Sequence, residues 1–231
     1  MKVNKIQSIA LTVSAIDQAQ NFYTQALGFR PVDDITFEAP NYSQLTGTSD
    51  SRVRLVTLQL GDELIELVQY LDLEAKLIPA DSQSNDLWFQ HMAIVVSDMD
   101  RAYEHLKSFP IQPISTEPQT MPEENPLAAG VRAFKFREPC DRHSLELIWF
   151  PKEIGKDKWQ RESDAVFLGI DHSAISVAST DASLKFYRDL LGMSVEGSNL
   201  NSGEVQAQLD GLPVAEVQVT PLQPAETRVG I

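Results

Sequence analysis

One cysteine, four histidines and nineteen basic residues in a chain of 231 are the scarcities that frame this sequence. Cys140 alone can form neither an intrachain disulfide nor a cysteine-rich zinc site, which suits a reducing cytoplasm. Nineteen Lys and Arg stand against thirty-three Asp and Glu, and a net charge of −14 repels a phosphate backbone, so no nucleic acid is expected as a partner. Long apolar runs are also missing. Gln7, Ser8 and Thr12 interrupt the N-terminal stretch that a signal peptide would need, and no later segment reads as a membrane span. The chain does have 42% hydrophobic residues, enough for a sizeable core in one large domain or two small ones.

The chain also repeats itself. "KIQSIALTVSAIDQAQNFYTQALGF", "FQHMAIVVSDMDRAYEHLKSFPI" and "GIDHSAISVASTDASLKFYRDLLGM" align when anchored on Ser8, His91 and His172, which lie 83 and 81 residues apart. An aspartate follows nine residues after each anchor, at Asp17, Asp100 and Asp181. The outer copies also share Phe22-Tyr23 with Phe186-Tyr187, and Leu27-Gly28 with Leu191-Gly192. Each copy opens with an alternating segment that reads as a strand with one buried face. A helix follows, capped at Ser14, Ser97, and Ser179 or Asp181, and Gly28 or Gly192 ends it in a left-handed conformation. Three strand-like runs come next in the first copy, "FRPVDD", "RVRLVTLQL" and "ELIELVQY", so the unit is βαβββ.

The expected fold class is therefore α+β, built from repeated βαβββ modules. Paired modules fill residues 1–154, with module one over about 3–72 and module two over about 86–151. The charged segment 155–165 reads as a solvated linker, and 166–231 as a third module that stops before its last strand. Aligning "VTPLQPAETRVGI" with "VTLQLGDELIELVQY", Ile231 opposite Ile65, leaves the third module without a counterpart of Glu66. An unfinished sheet exposes an edge, so the expectation is a chain that continues, or a homo-oligomer in which a second copy lends the strand.

The first-strand histidine, the "LGF" helix end and the last-strand "LEL", taken together, resemble the vicinal oxygen chelate superfamily. Its members include glyoxalase I, methylmalonyl-CoA epimerase, extradiol dioxygenases and bleomycin resistance proteins. The resemblance implies that two modules pair into a cup of curved sheets, with a metal held by first and last strands. Carried onto this chain, the ligand positions are Ser8 and His91 on first strands, and Glu66 and Glu146 on last strands. Ser8 departs from the family's histidine or glutamine, and Gln7 beside it has the wrong strand parity. His172 occupies the same position in the third module and is half of a second site.

Period-two alternation independently puts Glu66 on a face with Leu64 and Val68, and Glu146 on one with Ser144 and Ile148. A carboxylate buried among such residues needs a partner, and a divalent ion is one. Imidazole and carboxylates without thiolate suit Zn, Ni, Mn, Co or Fe. His105 on the second helix and His143 in a turn read as exposed residues outside the site.

The resemblance implies a glyoxalase-like lyase or isomerase. Its small substrate would chelate the metal through neighbouring oxygens, Glu146 or Glu66 would abstract a proton, and the metal would stabilise the enediolate. A metal-free small-molecule binding protein of the bleomycin-resistance type is the alternative. A ring-cleaving extradiol dioxygenase is the second alternative, disfavoured because it uses two histidines in the family and modules one and two together supply one.

Overall fold

The computed structural model describes residues 2–38, 44–48, 52–125 and 127–226. In the first module β1 (Ile9–Thr12) leads into α1 (Ile16–Leu27), then β2 (Arg30–Glu38), β3 (Arg52–Leu60) and β4 (Glu63–Tyr70). The sheet order is β1-β4-β3-β2, with β1 parallel to β4 and the remaining pairs antiparallel. Helix α1 forms because Ile16, Ala19, Phe22, Tyr23, Ala26 and Leu27 recur at helical spacing and are all buried. Gly28, at φ 73°, closes it as expected. The expected cap at Ser14 is replaced by Gln69 of β4, whose Oε1 accepts from Ile16 N and whose Nε2 donates to Ser14 O. Asp98, one residue past the expected Ser97, caps the second helix, and Ser179 caps the third.

The second module repeats the plan with β5 (Phe89–Val96), α2 (Met99–Leu106), β6 (Gln112–Pro113), β7 (Gln119–Thr120), β8 (Arg132–Arg137) and β9 (Ser144–Trp149). Its second strand is broken into β6 and β7, each paired with β8, in a stretch where Pro110, Pro113 and Pro118 supply no backbone N–H. The third module holds β10 (Phe167–Ile175), α3 (Thr180–Leu184), a wider π-helical turn over Lys185–Leu190, and the short strands β11 (Ser194–Val195) and β12 (Asn199–Ser202). Then come α4 (Gly203–Asp210), β13 (Glu216–Val219) and β14 (Leu222–Gln223). Among the described residues it has no counterpart of β4, and Ile231 lies outside them.

The molecule is thus α+β, with curved sheets built from repeated modules. The modules that join edge to edge differ from the expected pair. β10 runs antiparallel beside β5, so the second sheet reads β10-β5-β9-β8-β6 and spans modules two and three. The two nine- and eight-residue strands offer each other long ladders, whereas β1 has four residues. Modules one and two meet back to back instead: α1, α2 and the inward faces of both sheets share one apolar cluster that includes Phe22, Leu58, Leu67, Ile94, Phe134 and Leu147. Each such fully buried side chain stabilises the fold by about 1.5–3 kcal/mol. That packing turns the opposite, concave face of the second sheet toward the third module.

Candidate metal centre

Strand parity sets the floor of the cup. Met92, Ile94, Leu145, Leu147, Phe134 and Phe136 point into the shared core, so His91, Ala93, Glu146, Ile148, Ala133 and Lys135 face the other way. Register then places Glu146 between Ala93 of β5 and Lys135 of β8. On the far side of β5, His172 pairs with Ala93 while His91 pairs with Ala174, which makes the two histidines diagonal neighbours across the ladder. A bulge between Ile170 and His172 turns Asp171 toward the same region as His172.

His91 Nε2 lies 3.2 Å from His172 Nε2 and 3.5 Å from Glu146 Oε2. These three residues offer ligand atoms that all lie within 4.8 Å of one another. The outer ring nitrogens are spoken for: His172 Nδ1 donates to Asp171 Oδ2 at 3.0 Å, and His91 Nδ1 donates to Gln90 Oε1. Both rings therefore turn Nε2 inward, the nitrogen that a divalent ion would take on displacing the proton the two share. Asp171 is held in turn by Trp159 Nε1 at 2.8 Å and Lys156 Nζ at 3.0 Å.

Burial lowers the His91 pKa well below the ordinary value, with Lys135 and His172 adding to the shift. Burial opposes charge on His172 as well, but the hydrogen bond and charge of Asp171, with Glu146, outweigh it and raise that pKa. Burial raises the Glu146 pKa against the pull of Lys135 and His172. A neutral imidazole, a second imidazole tied to a carboxylate, and a desolvated carboxylate fit a divalent cation on donor chemistry.

The residues expected from sequence divide between two places. His91 and Glu146 meet as expected, and His172 joins them instead of forming half of a separate site. Glu66 lies on β4 of the first sheet and Ser8 immediately before β1, both half-buried. Glu66 pairs with Ala10 as Glu146 pairs with Ala93, and Ser8 precedes Ala10 as His91 precedes Ala93. Neither residue belongs to the group around His91.

Sequence reasoning missed Asp171, Lys135, Asp210 and Trp159. The "IDH" of the repeat was visible, but adjacent strand residues ordinarily face opposite sides, and only the bulge brings Asp171 to His172. The expected linker 155–165 is a folded wall of the cup: Asp157–Gln160 form a 3₁₀ turn that buries Trp159 against Ala93, Val95 and Ile148. His143 is also less exposed than expected. Its Nδ1 donates to Glu138 Oε1, which also accepts from Asp141 N and His143 N. Those bonds already occupy Glu138, so the second cluster of Glu138, Asp141 and His143 anchors a turn. His105 is exposed on α2, against Phe109 and Phe167.

A pair of curved-sheet modules with inward imidazole and carboxylate groups on first and last strands defines a class of metal-type cups. The chain belongs to the Glyoxalase/Bleomycin resistance protein/Dioxygenase superfamily, whose model matches residues 5–147. A 2-epi-5-epi-valiolone epimerase from Actinomyces sp is 29% identical over 151 residues, covering 63% of this chain and 79% of the relative. Glyoxalase I from Zea mays is similar in structure, with a TM-score of 0.57 at 18% identity over 93% of this chain and 67% of the other. A putative dioxygenase from Bacillus subtilis subsp. subtilis str. 168 aligns with a TM-score of 0.60 at 14% identity, over 99% of this chain and 63% of that one. The chain thus spans about two thirds of each of these two structures. Among the described residues no helix is long and apolar enough to cross a membrane.

Proposed function

We propose that the chain is a divalent-metal-dependent enzyme that moves a proton at a carbon beside a carbonyl of a small substrate, an isomerase, epimerase or lyase of the glyoxalase kind. The observation that carries this is the convergence of His91 Nε2, His172 Nε2 and Glu146 Oε2. His91, His172 and Glu146 would hold the ion, which when bound supplies Lewis-acid polarisation of two neighbouring substrate oxygens. Glu146 is the carboxylate that shares the cluster with both imidazoles, so it takes and returns the proton at a carboxylate oxygen. Burial raises its pKa and so strengthens it as a base. Asp171 holds His172 in the ligating tautomer, and Trp159, Ala93 and Ile148 exclude water from one wall. The relative named as an epimerase agrees with proton transfer at carbon.

The test is exchange in heavy water. Protein loaded in turn with Zn, Ni, Mn, Co or Fe(II) and given small α-hydroxycarbonyl compounds should exchange the C–H beside the carbonyl, read by proton NMR. Glu146→Gln should abolish exchange. Retained exchange in that variant would remove Glu146 from the role, and no exchange with any ion would defeat the reading.

One observation favours a second reading. Two imidazoles and one carboxylate are the facial set of non-haem Fe(II) oxygenases, and His172 supplies the second imidazole that modules one and two lacked. Catechol consumption with oxygen uptake by the Fe(II)-loaded protein would support ring cleavage. A metal-free binder of the bleomycin-resistance type predicts no stoichiometric ion after anaerobic purification.

A further inference from the structure

Beside the three ligands, and used by none of the chemistry above, stands a buried ammonium. Lys135 lies directly across the β8–β9 ladder from Glu146, with its Nζ 3.6 Å from Glu146 Oε2 and 2.7 Å from Asp210 Oδ1. The Lys135 and Asp210 side chains are only 6% and 4% exposed. Asp210 is the last residue of α4, which the third module sends across the cup of the second. Its other oxygen accepts from Gln206 Nε2 at 2.7 Å. Burying an ion pair costs several kcal/mol of desolvation, and apolar residues of similar size would hold the helix as well or better. A charged group kept at that cost beside a ligand carboxylate calls for a use.

Helix α4 is held largely by polar contacts: Ser115 Oγ donates to Leu209 O at 2.7 Å and Ser84 Oγ to Asp210 O at 2.8 Å. Gly203 opens it and Gly211 follows it, both in the left-handed region at φ 86° and 64°. Its apolar grip is small: Ala207 and Leu209 are its buried hydrophobic residues, and the other buried positions are Gln206 and Asp210. Among the described residues Gln206 Oε1 has no partner and is buried. A cavity of about 200 Å³ borders the helix at Val205 and Gln206, with Met121 and Asn125 on its wall.

We propose that Lys135 binds a negatively charged oxygen of the substrate, and that Asp210 occupies this position in the substrate-free protein, making α4 a lid that an anionic substrate displaces. The inference rests on the metal-dependent reading above and adds a substrate class: a small molecule with two neighbouring oxygens for the ion and an anionic oxygen for Lys135. The ammonium is close enough to the ligand carboxylate to meet an oxygen of a molecule held there, and Asp210 presents to it the kind of oxygen that such a substrate would bring.

Oxalate carries that pattern and serves as the probe. The full chain is loaded with Co²⁺ and titrated with oxalate by calorimetry. Lys135→Met should weaken oxalate at least tenfold at unchanged Co²⁺ stoichiometry, and Lys135→Arg should stay within a few-fold of the parent. Asp210→Asn should bind oxalate several-fold more tightly, because the resident competitor loses its charge. Parental oxalate affinity in Lys135→Met, or unchanged or weaker binding in Asp210→Asn, would overturn the inference while the metal reading stands. A parent that takes up no Co²⁺ defeats both. Should Lys135→Met fail to fold, Asp210→Asn decides the question alone.

Discussion

Glu66 on β4 and Glu146 on β9 occupy the same register against their first strands, opposite Ala10 and Ala93. Glu66 sits half-buried next to Thr57, its neighbour on β3. Glu146 is 5% exposed and faces two imidazoles and an ammonium. Nothing in the two modules' own strand order explains this contrast, because each runs first strand, last strand, then the middle strands. What differs is the outer edge of the first strand. β5 has β10 along it, and β1 has no strand there among the described residues. The register of an inward carboxylate is therefore a property of one module, whereas the cluster around His91 needs two first strands lying side by side.

If that contrast is right, the largest effect belongs to His172, the residue that β10 brings. His172→Ala should lower Co²⁺ affinity by about 100-fold or more, since loss of a supporting residue alone costs about 10- to 100-fold. Glu66→Gln should leave affinity within the error of the titration. Equal losses in the two variants would break the contrast.

The first module also buttresses the wall of the cup. Glu63, at the start of β4, accepts from Ile170 N at 3.1 Å and pairs with Lys158. The approach is close: a Cβ on Gly169 would meet Glu63 Oε2 at 2.4 Å, and one on Gly61 would meet Leu168 O at 2.4 Å. Glu63→Ala strands a buried N–H and should cost about 2–3 kcal/mol. Denaturant unfolding measures the loss, and limited proteolysis should show segment 155–175 loosening first. A variant as stable as the parent would mean that the first module is no buttress to β10.

The turn between β8 and β9 spends the Glu138 carboxylate on its own backbone. Burial would raise the Glu138 pKa, but hydrogen bonds from the His143 side chain and backbone and from the Cys140 backbone prevail and lower it. A carboxyl depressed in the folded state contributes its full stability above its ordinary value of 4.5, and loses it as pH falls through the lower folded value. Glu138→Gln should thus cost about 1–2 kcal/mol at neutral pH and little once the pH is below the depressed folded value. A cost independent of pH would assign the loss to shape instead of charge. Smaller again is Asp171→Asn, which keeps the shape but weakens the grip on His172 Nδ1, and should reduce Co²⁺ affinity by about tenfold.

The repeat, its strand alternation and its helix ends were legible because they are local: Gly28 ends α1 where it should, and β3, β4 and β9 begin within a residue or two of their alternating runs. The inward placement of His91 and Glu146 was legible for the same reason, as first- and last-strand positions of one module. The partner was not. His172 looked like half of another site because sequence order puts modules one and two together, while strand length and the back-to-back core of α1 and α2 put β5 beside β10. Asp171 was hidden by a bulge, Trp159 by a charged stretch that reads as linker, and Lys135 by its place on a middle strand. Lys135 finds its partner 75 residues away on a helix outside the βαβββ plan.

Ser8→His is the smallest expected effect and the most direct probe of the contrast. From its sequence position the substitution restores the imidazole that the family places there, next to the last-strand carboxylate Glu66. On a module-by-module view it should create a second ion site and raise Co²⁺ stoichiometry to two per chain. The strand pairing argues otherwise. In the second sheet the carboxylate and the first imidazole are joined by a third group, His172, delivered on an adjacent antiparallel strand and fixed there by Asp171. Ser8 and Glu66 have neither along β1, and both are half-buried, so an ion bound there would keep most of its water. Two donors without a fixed tautomer or a dry wall bind weakly. Calorimetric titration of Ser8→His with Co²⁺ should therefore show the parental stoichiometry and affinity, with light scattering confirming the parental mass. A second tight site in a monomer would show that one first strand and one last strand suffice. A second site accompanied by doubled mass would show that two β1 edges had supplied to each other what β10 supplies to β5.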